Sequence, residues 1–471
     1  MRTTVQIGGD EGFELAKATL CLNGHKLYSD VWNDQPPFHT LLITAALKHV
    51  SQSILVPRSV TIGFASLLLA SVFIISRQTG SSLTATIAAL LLMVSPGFLG
   101  LSASVMLEIP SLAMTIAGLC TLIWGAKQPQ RLSFHCTVAG ILFGLALSMK
   151  LVPVYLLPLA AFIIWRTSSL AKDTLSDKVK RCVFRFAIFM GTSALTFAGV
   201  DFVIEGGAYL KHFGQSWTSH FAPAQSFEYG SAADYPFDWA ILLKHWDTVI
   251  PALLGCVASW RARRNHPLSL LPVVWLGLAL AVFTVHKPWW PYYYPHLAIP
   301  LSLCAGIGIT AVWSSLKTNY SNPDGWLRWS LPALFALCAV AWIGGRLYFH
   351  ITEIRNSPRT FSTLALVEME RYKPHVEWLY ADEPIYSFHS GIPLPPPLAV
   401  VMLKRFWSGE MTNQRIADEV RNYRPGLVLL KNDTRAVPFK DFLESDYQLV
   451  YFDSTHRLYA SKAVLNSLRS Q

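Results

Sequence analysis

Charge is what this sequence has least of. Asp, Glu, Lys and Arg make up 14% of its 471 residues, where a soluble domain carries about a quarter. With 52% hydrophobic residues and a mean hydropathy of +0.35, the chain is excluded from the ordinary soluble class and falls among polytopic membrane proteins. Acidic residues are scarcer than basic ones, 29 against 39, for a net charge of +10. The basic residues lie scattered in short loops between apolar runs and form no continuous face. The surplus therefore reads as membrane topology and attraction to anionic lipid headgroups, and nucleic acid is not an expected partner. Paired cysteines are lacking too: the seven are scattered without a CxxC and sit mostly in apolar runs, which excludes a disulfide or zinc framework. There is no glycine-rich phosphate loop, internal repeat or low-complexity tract, and MRTTVQIGGD at the start holds no apolar core of a signal peptide. His212, His220 and His245 lack metal-ligand spacing.

What is present is a succession of apolar segments: Val60–Ile75, Leu83–Leu101, Pro110–Trp124, Phe134–Met149, Leu151–Trp165, Val183–Val203, Val249–Trp260, Leu268–Val285, Leu297–Trp313 and Trp329–Gly345. Several are shorter than the roughly 20 residues of a perpendicular span, and Pro153 and Pro158 predict a kink in the fifth. Basic residues fall in alternate loops (Arg77; Lys127 and Arg131; the cluster from Arg166 to Arg185; Arg261 to Arg264). That asymmetry puts the opening loop, and after ten spans the C-terminal segment, on the exoplasmic side. A first loop outside implies a further span upstream, for eleven in all; a translocated N-terminus is the alternative. The predicted fold class is thus a polytopic α-helical membrane protein with a small C-terminal α/β exoplasmic domain. Its segments are 1–58, a first exoplasmic loop with amphipathic helices; 59–346, the transmembrane domain; and 347–471, the α/β domain. In the last, helical spacing over Pro358–Tyr372, Thr412–Tyr423 and Phe439–Glu444 alternates with strands over Val376–Tyr380, Gly426–Leu430, Gln448–Phe452 and Arg457–Ala460. GIPLPPP at Gly391–Pro397 reads as a stiff connector. The domain's simplest role is that of a structural or acceptor-positioning cap.

The most polar, best-punctuated stretch is Gly9–Thr40. Asp10-Glu11 opens a helical pattern over Gly12–Asn23, with Leu15, Ala18, Thr19 and Leu22 on one face and Gly24 as its stop. Asp10 is open to two compatible readings, a helix cap and a carboxylate fixed in place for chemistry. Trp32–Thr40 (WNDQPPFHT) follows; Asp34 or Gln35 is placed to cap a helix beginning at Pro36-Pro37. Glu108 in MLEIPS stands at a predicted span edge, either as a helix-start charge or as an acidic group facing protein or water.

The order Asp-Glu, amphipathic helix, NDQPP and many spans resembles the GT-C superfamily of membrane glycosyltransferases, in the branch of protein O-mannosyltransferases and the lipid A aminoarabinose transferase. The resemblance covers about residues 8–345. It implies an enzyme that takes a sugar from a polyprenyl-phosphate carrier at the outer face of the plasma (inner) membrane. It also implies Asp10 as general base, Glu11 as its acidic neighbour, Glu108 as a second acidic position and Pro36-Pro37 as the family's turn. Before that turn the named enzymes often carry His or Lys; here Gln35 stands there, with His39 as a substitute for the phosphate contact.

His286–His296 (HKPWWPYYYPH) is either an interfacial aromatic belt or a donor site. In the second reading His286 and Lys287 meet the phosphate, and Trp289, Trp290, Tyr292, Tyr293 and Tyr294 face the sugar or prenyl chain. Lys150, at the outer end of an apolar run, is a functional candidate or a snorkelling lysine. The expected chemistry is inverting, single-step transfer to an acceptor hydroxyl on a lipid, glycan or protein. It requires no cofactor, while a divalent ion on the acidic groups stays open. A transporter or lipid flippase and a non-catalytic receptor are the competing classes.

Overall fold

The computed structural model describes residues 10–168, 174–213, 229–264, 268–319, 327–356, 361–432 and 437–470; His220 lies outside them. All ten apolar segments of the sequence fall on helices. The opening loop folds as α1 (Asp10–Leu22) and α2 (Phe38–His49). The bundle follows with α3 (Leu55–Thr79), α4 (Ser82–Met93), α5 (Glu108–Gly125), α6 (Leu132–Leu147), α7 (Leu157–Thr167), α8 (Leu175–Glu205), α9 (Trp246–Ala262), α10 (Leu271–Phe283), α11 (Pro295–Asn319) and α12 (Leu327–Asn356). Among the described residues five helices are long and apolar enough to cross a membrane, and α3, α5, α8, α11 and α12 supply them. The segment Leu83–Leu101 is not continuous: α4 ends at Met93, and a short helix, Phe98–Ser102, restarts after Gly97 at φ +71°. The kink expected at Pro153 and Pro158 is a 3-10 stretch, Val152–Leu156, leading into α7.

Small residues set the closest crossings. A Cβ on Gly255 of α9 would lie 1.8 Å from the Cys304 carbonyl of α11, and one on Gly308 2.0 Å from the Pro251 carbonyl. Gly140 and Gly144 of α6 meet α8 in the same way, with hypothetical Cβ contacts of 2.0 and 2.5 Å to Thr192 and Ser193. In lipid, where apolar helices gain nothing by leaving a hydrocarbon solvent, such backbone approach and dispersion hold the bundle.

The C-terminal domain holds β1 (Leu379–Ala381), β2 (Leu427–Lys431), β3 (Tyr447–Phe452) and β4 (His456–Ser461) in the order β1-β2-β4-β3. β1 and β2 are parallel and the other pairs antiparallel. Its helices include α13 (Thr363–Tyr372), α14 (Ile385–Ser390), α15 (Leu403–Trp407) and α16 (Asn413–Tyr423). α14 and α15 had no clear sequence signal, each spanning less than two turns.

Two cores result. One lies inside the bundle, from Leu68 and Val72 through Ile116 and Phe143 to Trp275 and Leu297. The other joins the two ends of the chain: Leu15, Ala18, Leu20, Val31, Ile43 and Leu47 pack with Ala365, Met369, Tyr386, Leu427 and Leu458. The opening loop and the C-terminal domain therefore share one apolar interior. α1 lies so close to α14 that a Cβ on Gly12 would sit 2.9 Å from the Ile385 backbone nitrogen.

Candidate active site

The site is built outward from α1. Its buried face carries Glu11 and Glu14 among apolar residues, so both carboxylates must be compensated. Glu11 is fully buried. Arg58 holds it in a bidentate pair, Nε and a terminal nitrogen each 2.9 Å from a carboxylate oxygen, and the Val105 N–H donates to it at 3.0 Å. Glu11 thus ties α1 to α3 and to the loop before α5. Glu14 receives Lys17 (2.5 Å), the Thr40 hydroxyl (3.0 Å) and His39 Nδ1 (3.4 Å). Burial alone would raise its pKa, but Lys17 and His39 bring it down to about 2. Lys17 also donates to Asn33 (2.9 Å), whose amide donates to the Gln35 carbonyl (2.9 Å), where the Tyr28 hydroxyl donates as well (2.7 Å). This network fixes the NDQPP loop against α1. His39 belongs to it, behind the loop. The helix after Pro36-Pro37 is not capped by Asp34 or Gln35: Pro37 takes the cap position without a side-chain bond. Instead the Phe38 N–H donates to the Ser148 carbonyl at 3.0 Å, which pins the Pro-Pro turn beside Lys150.

Asp10, the first residue of α1, faces a second group of charges. Lys150 Nζ is ion-paired with Glu108 and lies over the rings of Tyr292 and Tyr293, 5.4 and 5.2 Å from their centroids. Tyr292 lies near Asp10, and the Glu108, Lys150 and Lys404 charges all act on Asp10. Burial, then the neighbouring Glu108, raises the Asp10 pKa above the usual aspartate value; the two lysines offset this in part. Lys150 is also buried, which works against its charge, yet the Glu108 carboxylate raises its pKa. Asp34 accepts from Lys404 (3.1 Å) and from the Gln35 side-chain amide (2.9 Å). Two of the three carboxylates around this space are thus matched to a lysine each.

Sequence reasoning and geometry meet unevenly here. Asp10, Glu108, Lys150, Tyr292 and Tyr293 come together. His286 lies near, its ring 5.6 Å from that of Tyr293; burial and the charges of Lys404 and Lys150 push its pKa down. Gln35 is turned to Asp34. Lys287 is exposed and makes no ion pair with any described residue. Sequence reasoning missed Arg58 and Lys404. Neither had a local signal, since their partners are 47 and 370 residues away. The aromatic segment is not only an interfacial belt: Trp289 N–H donates to the Tyr235 carbonyl (2.8 Å), and Tyr235 contacts Trp290 and Trp407 of α15. His212, at the edge of the large loop, stacks on Tyr28. Asp201 caps the turn after α8 by accepting from the Tyr209 and Leu210 N–H groups, both at 3.0 Å. Among the described residues no cluster of three or more His, Cys, Asp or Glu side chains is arranged to hold a metal.

This architecture has known counterparts. The archaeal oligosaccharyltransferase of Archaeoglobus fulgidus, in its apo form, superposes with a TM-score of 0.60 at 13% identity, over 92% of this chain and 66% of that one. The chain thus spans just under two-thirds of that protein. ArnT from Cupriavidus metallidurans superposes in the apo state with a TM-score of 0.59 at 13% identity, over 99% of this chain and 95% of that one. Its complex with undecaprenyl phosphate gives 0.55. The chain has the GT-C fold. The sequence profile of the dolichyl-phosphate-mannose-protein mannosyltransferase family matches residues 29–215, a stretch of the GT-C bundle that holds the Pro-Pro turn, Glu108 and Lys150 but neither Asp10 nor the aromatic segment. No curated protein sequence matches the chain significantly.

Proposed function

We propose that this GT-C protein is a membrane glycosyltransferase that moves a sugar from a polyprenyl-phosphate carrier to an acceptor hydroxyl. Asp10 is the general base. One observation carries the assignment: Glu108 and Asp34 are each engaged by a lysine, whereas Asp10, near Glu108, makes no such ion pair among the described residues, and burial raises its pKa. A base near its operating pH takes a proton most effectively, and a hydroxyl is a poor nucleophile without one. The mannosyltransferase-family match and the undecaprenyl phosphate complex of ArnT support a lipid-linked donor.

The reaction is a single inverting displacement. The acceptor oxygen forms a bond to the anomeric carbon as its proton passes to Asp10. The bond from that carbon to the phosphate oxygen breaks, and its electron pair leaves with the lipid phosphate. Lys150, fixed by Glu108, stabilises that growing charge. The second oxygen of Glu108 is buried with no hydrogen-bond partner among the described residues, and it accepts from the acceptor. Glu11 acts through position: with Arg58 and Val105 it sets where Asp10 stands. The acceptor side faces the exoplasm, as the distribution of basic loops implies. The GT-C match favours transfer over transport.

The test is transfer of label from polyprenyl-phosphate sugars to a membrane extract. Asp10→Asn should lower turnover by about 10²–10⁴-fold, the usual contribution of a positioned base. An Asp10→Asn protein that folds and turns over at near wild-type rate would end the proposal.

A further inference from the structure

The lysine from the far end of the chain has a place in this site that a structural role does not account for. α15, which carries Lys404, is held rigidly. Arg405 donates to the carbonyls of Pro397 (3.0 Å) and Val400 (2.7 Å), and its guanidinium lies 5.1 Å over the Trp32 ring. Trp407 Nε1 donates to the Tyr229 carbonyl at 3.0 Å. Trp32 Nε1 donates to Glu410 at 2.8 Å, closing the clamp between the opening loop and the C-terminal domain. The backbone under Lys404 is thus fixed from three sides while its side chain reaches the site.

There it meets the same groups as Lys150. Both charges act on Asp10 and on His286, and the Lys150 charge acts on Lys404. Lys150 lies over Tyr293, and Lys404 is close enough to interact with that tyrosine as well. Two ammonium groups from different domains therefore converge beside one base. Each is matched by a carboxylate in this structure, Lys150 by Glu108 and Lys404 by Asp34, so an anion that takes the place of Asp34 meets a buried cation already in position. A departing phosphate monoester carries about −1.5 to −2 charges near neutral pH. Lys150 alone, already engaged by Glu108, leaves most of that uncompensated, and the exposed Lys287 is not in the group. Asp34 is suited to give Lys404 up, because the Gln35 amide still donates to it at 2.9 Å.

We propose that Lys404, carried by the C-terminal domain, is a ligand of the donor's phosphate, held by Asp34 until that phosphate arrives. The assignment rests on the transferase reading above and extends it: the C-terminal domain supplies part of the donor site. Lys404 exchanges Asp34 for a phosphate oxygen, and no bond to carbon is made or broken in that step.

The full-length protein in detergent would be titrated with undecaprenyl phosphate, comparing wild type with Lys404→Met, Lys404→Arg and Asp34→Asn, and thermal unfolding would be followed in parallel. Lys404→Met and Asp34→Asn break the same ion pair, so a purely structural lysine predicts the same change in both. A phosphate ligand predicts opposite changes. Lys404→Met should weaken binding at least tenfold and Lys404→Arg should retain most of it. Asp34→Asn should bind as tightly as wild type or more so, despite a similar loss of thermal stability. Lys404→Gln replaces the methionine variant if that one misfolds. Wild-type affinity in Lys404→Met, or equal weakening in Lys404→Met and Asp34→Asn, would overturn the assignment. Failure of the wild type itself to bind would overturn the transferase reading and this extension together.

Discussion

The two cores of this protein handle polarity in opposite ways. Inside the bundle, buried polar side chains are mostly hydroxyls that bond back to their own helix, as Thr115 does to the Ser111 carbonyl and Ser102 to Phe98. In the core shared by the chain ends, whole charges are buried: Glu11 with Arg58, and Glu14 with Lys17 and His39. The bundle needs only closeness, because its solvent is hydrocarbon and its helices are positioned by small residues. The outer core must fix a loop to a fraction of an ångström, and directional, costly interactions do that where apolar packing alone would allow slippage. The proposed active site lies where the two larger cores meet.

The comparison can be broken at graded strengths. Arg58→Met leaves Glu11 buried without its partner and should cost about 3–5 kcal/mol, read as a large drop in unfolding temperature together with loss of transfer. Glu11→Gln with Arg58→Met should recover part of the stability but not the activity. Gly255→Leu tests the bundle by overpacking. It should cost roughly 1–3 kcal/mol, more if the 1.8 Å clash with the Cys304 carbonyl parts the helices, and should show first as loss of monodispersity in detergent. Next in size is a contrast in pH dependence between two carboxylates of one helix. Glu14, held at about 2, contributes stability that is present above its unfolded pKa and lost as pH falls towards 2; Glu14→Gln should abolish that loss. Asp10 has a raised pKa, so its stability contribution is fullest below the unfolded value and is lost as pH rises through the folded one. Asp10→Asn should therefore be as stable as wild type at acid pH and more stable at neutral pH while inactive, the familiar conflict between stability and function. Smallest of all, Lys287→Ala should change neither stability nor donor affinity measurably, as befits an exposed lysine without an ion pair among the described residues.

What could be read from the sequence follows the range of the forces involved. Apolar runs, the helix stopped by Gly24 (φ +91° in the structure) and the strands of the C-terminal domain are local patterns, and the structure places elements at each. Glu108, Lys150 and the tyrosines were legible as candidates because charge or aromatic density at the edge of an apolar run is conspicuous within a few residues, and Asp10 because Asp-Glu opens an amphipathic helical pattern. Lys404 was not, because nothing near VMLKRFW announces a partner 370 residues away. Glu11 and His39 were legible as unusual residues, but their surroundings were not. A buried carboxylate reads the same in sequence whether its neighbour is a substrate or an arginine. The shared core was invisible for the same reason: hydropathy tells which faces are apolar, not which faces meet.

That shared core has a consequence for how the protein is made. The ribosome delivers Leu15 and Ala18 at the beginning and Leu427 and Leu458 near the end, yet they close on one another. The opening helices are synthesised before the residues that bury them, and the helices of the bundle are laid down in between. Contacts of such long sequence separation form late and slowly. Until those residues are made, α1 lacks the surface that buries it and Lys404 is absent. The proposed site is therefore complete only once the residues around Lys404 have been synthesised.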